Sequence, residues 1–183
     1  MLVRFSIATS SDVRRGLLLV PMFSGRSPRN ALRCGVRLGD LDVPESVGGC
    51  LTVAARERGF DSVVVISLGE RDACNPEFIR RAGGAMAGRM ASAKASHATV
   101  DMADILTACP DEGIRCLCEG VELGAFRFDR HKTDVEKIPE CRVSLAVKRP
   151  SASVAKQVRL SQVIASSANY ARAMAHEPAN VIT

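Results

Sequence analysis

The chain of 183 residues contains no tryptophan, a single tyrosine and six phenylalanines, so any core it builds is aliphatic. No run approaches the roughly 20 apolar residues that a membrane-spanning helix needs. There is no Gly-x-Ser-x-Gly elbow, no Walker-type loop and no Gly-x-Gly-x-x-Gly, which removes the usual signatures of serine hydrolases and phosphate cradles. Nucleophilic catalysis would need a serine or cysteine beside a base, and no cysteine has such a neighbour in sequence. Histidine is scarce: His97, His131 and His176 fall in three separate elements without paired spacing, so no metal ligand set is legible. No Cys-x-x-Cys occurs, and seven cysteines form no regular framework. Cys116 and Cys118 would point about 200° apart on a helix. Buried free thiols in a reducing compartment are the expectation, without any disulfide. The opening segment is interrupted too soon by Ser10 to Arg15 to act as a signal peptide, so the protein reads as cytoplasmic. Neither an internal repeat nor a low-complexity tract is present.

What is there is a 46% hydrophobic composition, ample for a buried core, with a formal net charge of +5. A nucleic-acid footprint gathers its cations on one face. Here they are scattered over Arg14-Arg15, Arg26 to Arg37, Arg80-Arg81 and Arg127 to Lys132, and a solvated surface is the preferred reading. The Arg127 to Lys132 cluster mixes charge with Phe128, but cations complementing a helix end account for it as well.

Strand and helix patterns alternate along the chain. Leu2 to Ala8 alternates like a strand with one wet face, and Gly16 to Phe23 is a continuous apolar run expected to be covered on both faces. Ser24 to Asn30 reads as a loop. Cys34 to Leu38 suggests a short strand and Val47 to Arg58 a helix, in the least legible part of the chain, residues 31–59. Asp61 to Gly69 is the clearest central strand. Asn75-Pro76-Glu77 then supplies a cap, a first-turn proline and an acid, starting a helix to about Ala93. Its expected buried stripe is Phe78, Ala82, Met86, Met90 and Ala93. Gly69 to Asp72 sits at a strand's carboxyl end, where α/β sheets bind ligands, although a plain connection is the simpler reading. His97 to Asp101 is a short strand. Asp111 is placed to cap a helix carrying Ile114, Leu117, Cys118, Val121, Ala125 and Phe128. A polar loop, Thr133 to Glu140, precedes a last strand over Cys141 to Val147. From about Ser153 a terminal helix is expected to bury Leu160, Ile164, Ser167, Ala171 and Met174, with Arg159, Gln162, Asn169 and Arg172 opposite, until Pro178 stops it near His176. This order argues for an α/β layered domain with a parallel or mixed sheet.

Two blocks carry a family resemblance. Asn169-x-Ala171-Arg172, followed by Pro178-x-Asn180-x-x-Thr183, resembles the junction between the two domains of leucyl (cytosol) aminopeptidases. Glu119-Gly-Val-Glu-Leu-Gly-Ala-Phe-Arg-Phe-Asp-Arg-His-Lys132 resembles a second segment of that family, departing at Phe126 and His131, where tyrosine is usual. The resemblance implies a macro-domain-like mixed sheet flanked by helices. It divides the chain into an amino-terminal non-catalytic domain, 1–150, and a linker helix, 151–183, leading to a catalytic domain beyond Thr183. Two divalent metal ions, zinc or manganese, held by Asp, Glu and Lys would do the chemistry there. No catalytic, cofactor-binding or metal residue is then expected in this chain. The parent would remove amino-terminal residues from peptides as a homohexamer, with this domain outside, aiding assembly or substrate access. Residues 179–183, without their partner, are expected to be extended and mobile, or held by a neighbouring molecule. A macro-like module for a nucleotide-type ligand and a DNA-binding domain stay open as alternatives.

Overall fold

The computed structural model describes residues 1–10, 12, 16–25, 31–34, 36–38, 41–53, 59–135 and 137–178. In chain order these hold β1 (Val3–Thr9), β2 (Gly16–Met22), β3 (Ala31–Arg33), β4 (Val36–Leu38), β5 (Cys50–Val53) and β6 (Phe60–Ser67). Then come α1 (Pro76–Ser92), β7 (His97–Asp101), α2 (Ala103–Ala108), α3 (Gly113–Gly124), β8 (Cys141–Val147) and α4 (Ala152–His176). Six strands form one mixed sheet in the order β1-β8-β7-β2-β6-β5. All neighbours pair in parallel except the antiparallel edge strand β5.

The apolar run of β2 divides by the alternation of a strand. Leu17 and Leu19 enter a core shared with α1, α3 and α4, while Leu18, Val20 and Met22 enter a second core on the opposite face. β6 does the same with Val64 and Ile66 against Val63 and Val65. Helices thus cover one face. The β3–β4 hairpin supplies Cys34, Val36 and Leu38 to the other.

Asn75 caps α1 as its sequence demands, accepting from the Phe78 amide at 3.0 Å. The buried face is Ile79, Ala82, Gly83, Met86, Ala87 and Met90, so Phe78 and Ala93 lie off the stripe assigned to them. The reason is the contact with α3. Glycines let the two backbones touch: a Cβ on Gly120 would stand 1.9 Å from the Arg80 carbonyl oxygen, and one on Gly83 2.4 Å from that of Leu117. Across this crossing Glu119, 2% exposed, accepts from Arg80 at 2.9 Å and from Arg115 at 2.9 Å.

The helix expected over Val47 to Arg58 does not form; residues 50–53 are β5, and 54–58 lie outside the described residues. The open edge of β6 needs partners for its backbone groups. The pairing begins at two glycines, with Gly48 N–H donating to Ser67 O at 2.9 Å and Ser67 N–H to Gly49 O at 2.8 Å. Asp111 does not cap α3, which starts at Gly113 behind Glu112 with no side-chain cap bond; a short helix absent from the pattern reading, α2, ends at Ala108, and the turn after it brings the Gly113 amide onto the Cys109 carbonyl at 2.9 Å. Phe128 falls beyond the end of α3. The expected loop at Ser24 to Asn30 lies largely outside the described residues, as does the 179–183 segment.

Candidate functional site

The terminal helix is the part of the molecule least committed to its own core. Ser151 caps α4, two residues before the start its sequence suggested, accepting from the Val154 amide at 3.3 Å. The row it buries is Val154, Val158, Ser161 and Ala165, small enough for close packing on α3. The expected stripe is therefore on the wrong side: Leu160 is 46% exposed, Ile164 40% and Met174 39%, with Val163 at 62% and Tyr170 at 70%. Ser167 and Ala171 are exposed too.

Polar side chains assigned to the solvent side hold the second half of α4 to the domain. Asn169 Nδ2 donates to the Glu122 carbonyl at 3.1 Å, and Arg172 Nη1 to that of Leu123 at 2.9 Å. These are carbonyls of the last turn of α3, which have no partner inside their own helix. Arg172 also lies 4.3 Å from the Phe126 ring centroid. Beyond it the end of α4 is clamped. His176 stacks on Phe128 at 5.4 Å, while Glu177, its side chain 4% exposed, takes Arg130 on one oxygen and His131 Nε2 on the other at 2.9 Å. The His131 hydrogen bond holds the Glu177 carboxyl below its ordinary pKa, with help from Arg130.

Between the start of β1 and α4 runs an open groove of about 720 Å³. Met1, Leu2 and Glu122 line one side, with Arg159, Val163 and Tyr170 along α4. The Met1 ammonium donates to the Ala125 carbonyl at 3.1 Å. Burial pushes the Glu122 carboxyl up to about 7, as its sole cause.

The other sequence candidates are not assembled into a reactive site. Among the described residues no group of three or more His, Cys, Asp or Glu could hold a metal ion. His97 lies beside Ser96 in a separate cavity of about 320 Å³ at the amino ends of β2 and β7. His131 and His176, from different elements, do meet, but around Phe128. Gly69 is a connection, with Glu70, Arg71 and Asp72 exposed and Arg71 over the Phe23 ring at 5.4 Å. At the carboxyl ends of β2, β6 and β7, Phe23, Leu68 and Met102 are wholly buried. Arg33 joins Asp104 there at 2.9 Å and Asp101 at 3.6 Å. In the Arg127 to Lys132 cluster, Arg127 and Lys132 are both taken by Asp129, at 2.9 Å and 2.8 Å. All seven cysteines are free thiols; burial raises Cys34 to about 12 and Cys141 to about 11, which keeps them protonated.

Pattern reading missed Glu119, Glu122 and Glu177 as individuals. The spacing of Arg115 to Glu119, four residues on a helix, was a usable signal for the first. Nothing local marks the other two, since the surroundings of Glu122 come from α4 and the chain start and those of Glu177 from Arg130 and His131.

Comparison with known proteins places these elements. Residues 46–135 match the cytosol aminopeptidase family, N-terminal domain. A probable cytosol aminopeptidase of Persephonella marina is 31% identical over 144 residues, covering 75% of this chain and 29% of that protein. One of Desulforapulum autotrophicum is 32% identical over 134 residues, 68% of this chain and 26% of that protein. The chain thus spans less than a third of the curated relatives it matches. The fold resembles a solved tomato leucine aminopeptidase mutant, with a TM-score of 0.72 at 15% identity, over 100% of this chain and 39% of that one. It also resembles the bottromycin maturation enzyme BotP, with a TM-score of 0.69 at 18% identity, over 91% of this chain and 34% of that one.

Proposed function

We propose, on the premise that this chain belongs to the cytosol aminopeptidase family and carries its amino-terminal domain, that it is the non-catalytic part of a dinuclear metallo-aminopeptidase. The parent protein releases amino-terminal residues from peptides in the cytoplasm. The chemistry would belong to a catalytic domain following the linker helix, where a pair of bound metal ions would supply water activation and polarisation of the scissile carbonyl. Manganese or zinc would serve; BotP, one of the fold relatives, has been solved in complex with Mn. Residues 1–150 form the domain proper and 151–183 the linker. The role of the domain is to dock on the catalytic portion, and through it to support a homohexamer and shape access to the metal centre.

The observation that carries this role is the outward row of α4. Leu160, Val163, Ile164, Tyr170 and Met174 are all between 39% and 70% exposed on one long helix. Scattered exposed apolar residues are ordinary, but a row on one element marks a contact surface. A nucleotide-ligand reading meets a filled crevice among the described residues, at Phe23, Leu68 and Met102.

The test is an assay of leucyl-peptide hydrolysis with added manganese or zinc. The full-length protein should show metal-dependent release of amino-terminal residues and this chain none. Metal-dependent activity in the chain, surviving removal of host peptidases, would overturn the assignment.

A further inference from the structure

The end of α4 is held by more side chains than the stability of a helix end requires. Glu177, extended at φ −72° and ψ 140°, closes the helix, and its side chain is only 4% exposed. Its two oxygens take Arg130 and His131, both from the segment after α3. One residue earlier, His176 stacks on Phe128 at 5.4 Å and on Phe126 at 6.3 Å, with interplanar angles of 29° and 21°. One turn before that, Arg172 donates to the Leu123 carbonyl at 2.9 Å and lies over the Phe126 ring. Asp129 takes Arg127 and Lys132, which leaves Arg130 and His131 to Glu177. Helix ends ordinarily fray, and ion pairs with cations as open as Arg130, 71% exposed, and His131, 50% exposed, add little to stability. What such an arrangement fixes is direction.

We propose that Arg130, His131 and Glu177, with His176 against Phe126 and Phe128, are a positioning clamp that sets the direction in which the chain leaves this domain at Pro178. The inference rests on the reading above that a catalytic portion follows α4, and it adds how that portion is aimed. With 25 residues at about 1.5 Å each, the end of α4 lies about 37 Å from its start. The first half packs on α3 through Val154, Val158, Ser161 and Ala165, and beyond Ala165 no side chain of the helix is buried. A helix anchored by apolar packing in one half pivots there, and a small rotation moves its far end by several ångströms. Apolar burial is non-directional, whereas stacked rings and a carboxylate shared by two cations have defined geometry. The clamp sits where the lever arm is longest, so a few side chains suffice to fix the angle. Pro178 restricts Glu177 to the extended backbone it adopts, which passes the direction on to the chain that follows.

The experiment uses the full-length protein carrying Glu177→Arg, Arg130→Glu or both. The readouts are the small-angle scattering profile, trypsin cleavage after Arg172 and the urea midpoint. Each single reversal places like charges together. It is expected to change the scattering profile and to speed cleavage several-fold, with the urea midpoint unaltered. The double reversal restores an opposite pair and is expected to return both readouts toward those of the unaltered protein. Faster cleavage with an unchanged profile would make the clamp a local cap and overturn the inference. So would no change in either readout, a change that the double reversal does not restore, or a urea midpoint that falls along with the profile. The two readings fail separately. A full-length protein without metal-dependent peptide hydrolysis removes the reading above, whereas an active one whose profile ignores the reversals removes this inference alone.

Discussion

Helices α3 and α4 lie against each other, yet they are stabilised in opposite ways. In α3, eight residues of twelve are buried, from Gly113 through Val121 with only Arg115 half-exposed. Its neighbours approach to backbone contact at Gly120 and Gly83. In α4, four side chains of twenty-five are buried. Its second half is held by Asn169, Arg172 and Glu177 instead of by apolar contact. An interior helix is fixed by shape, and small changes of volume are felt at once. A helix bound along one flank keeps a second flank available, and that flank is where α4 carries its larger apolar side chains.

The sharpest way to break this contrast is at Gly120. A methyl group there meets the Arg80 carbonyl at 1.9 Å, so Gly120→Ala should force α1 and α3 apart and cost about 3 kcal/mol. Urea denaturation of the chain measures it; a change within experimental error would mean the crossing is not close-packed. Next in size is Glu119→Ala, which leaves Arg80 and Arg115 without their shared buried partner, expected to cost about 2 kcal/mol because both guanidinium groups retain some water.

Glu122→Gln acts with the opposite sign in the chain alone. A carboxyl raised to about 7 when folded, against about 4.5 unfolded, binds its proton more tightly in the native state. Stability contributed by that proton is present below the unfolded value and is lost as pH rises through about 7. Glu122→Gln should therefore stabilise the chain by about 1 kcal/mol above pH 7, after allowance for solvent screening of a half-exposed group, and flatten its profile between those limits. A stability profile identical to that of the unaltered chain would show that the groove is wet enough to ionise the acid freely.

Val163→Asp, on the open flank, should change the stability of the chain by no more than about 0.5 kcal/mol, while uncoupling the two portions of the full-length protein. The smallest effect is expected at the clamp. Glu177→Gln should leave global unfolding unaltered and speed amide exchange only in the last turn of α4. Because the folded pKa of Glu177 is depressed, its contribution is present above the unfolded carboxylate value and fades as pH falls through the folded one. The protection of that turn, taken relative to the intrinsic exchange rate at each pH, should therefore fall in acid in the unaltered chain and not in the variant.

Local chemistry written into the sequence determined much of this molecule. Asn75 and Pro76 start α1, Pro178 follows the end of α4, and the apolar runs at Gly16 to Phe23 and Asp61 to Gly69 become the interior strands β2 and β6. The Glu119 to Lys132 block and the Asn169 to Thr183 block pointed to the family because their residue identities are specific. Only the tertiary structure decided the rest. Residues 50–53 are a strand because β6 offers an unpaired edge, although Gly48 and Gly49 with the residues after them scan as a weak helix. The side α4 turns inward could not be read from periodicity. The helix is apolar on one flank and small on another, and α3 presents a close surface that Ser161 and Ala165 fit and carbonyls that Asn169 and Arg172 satisfy. A pattern records which side chains avoid water; which of two flanks is buried depends on the shape and hydrogen-bonding needs of the neighbour, and those arrive from residues far away in the chain.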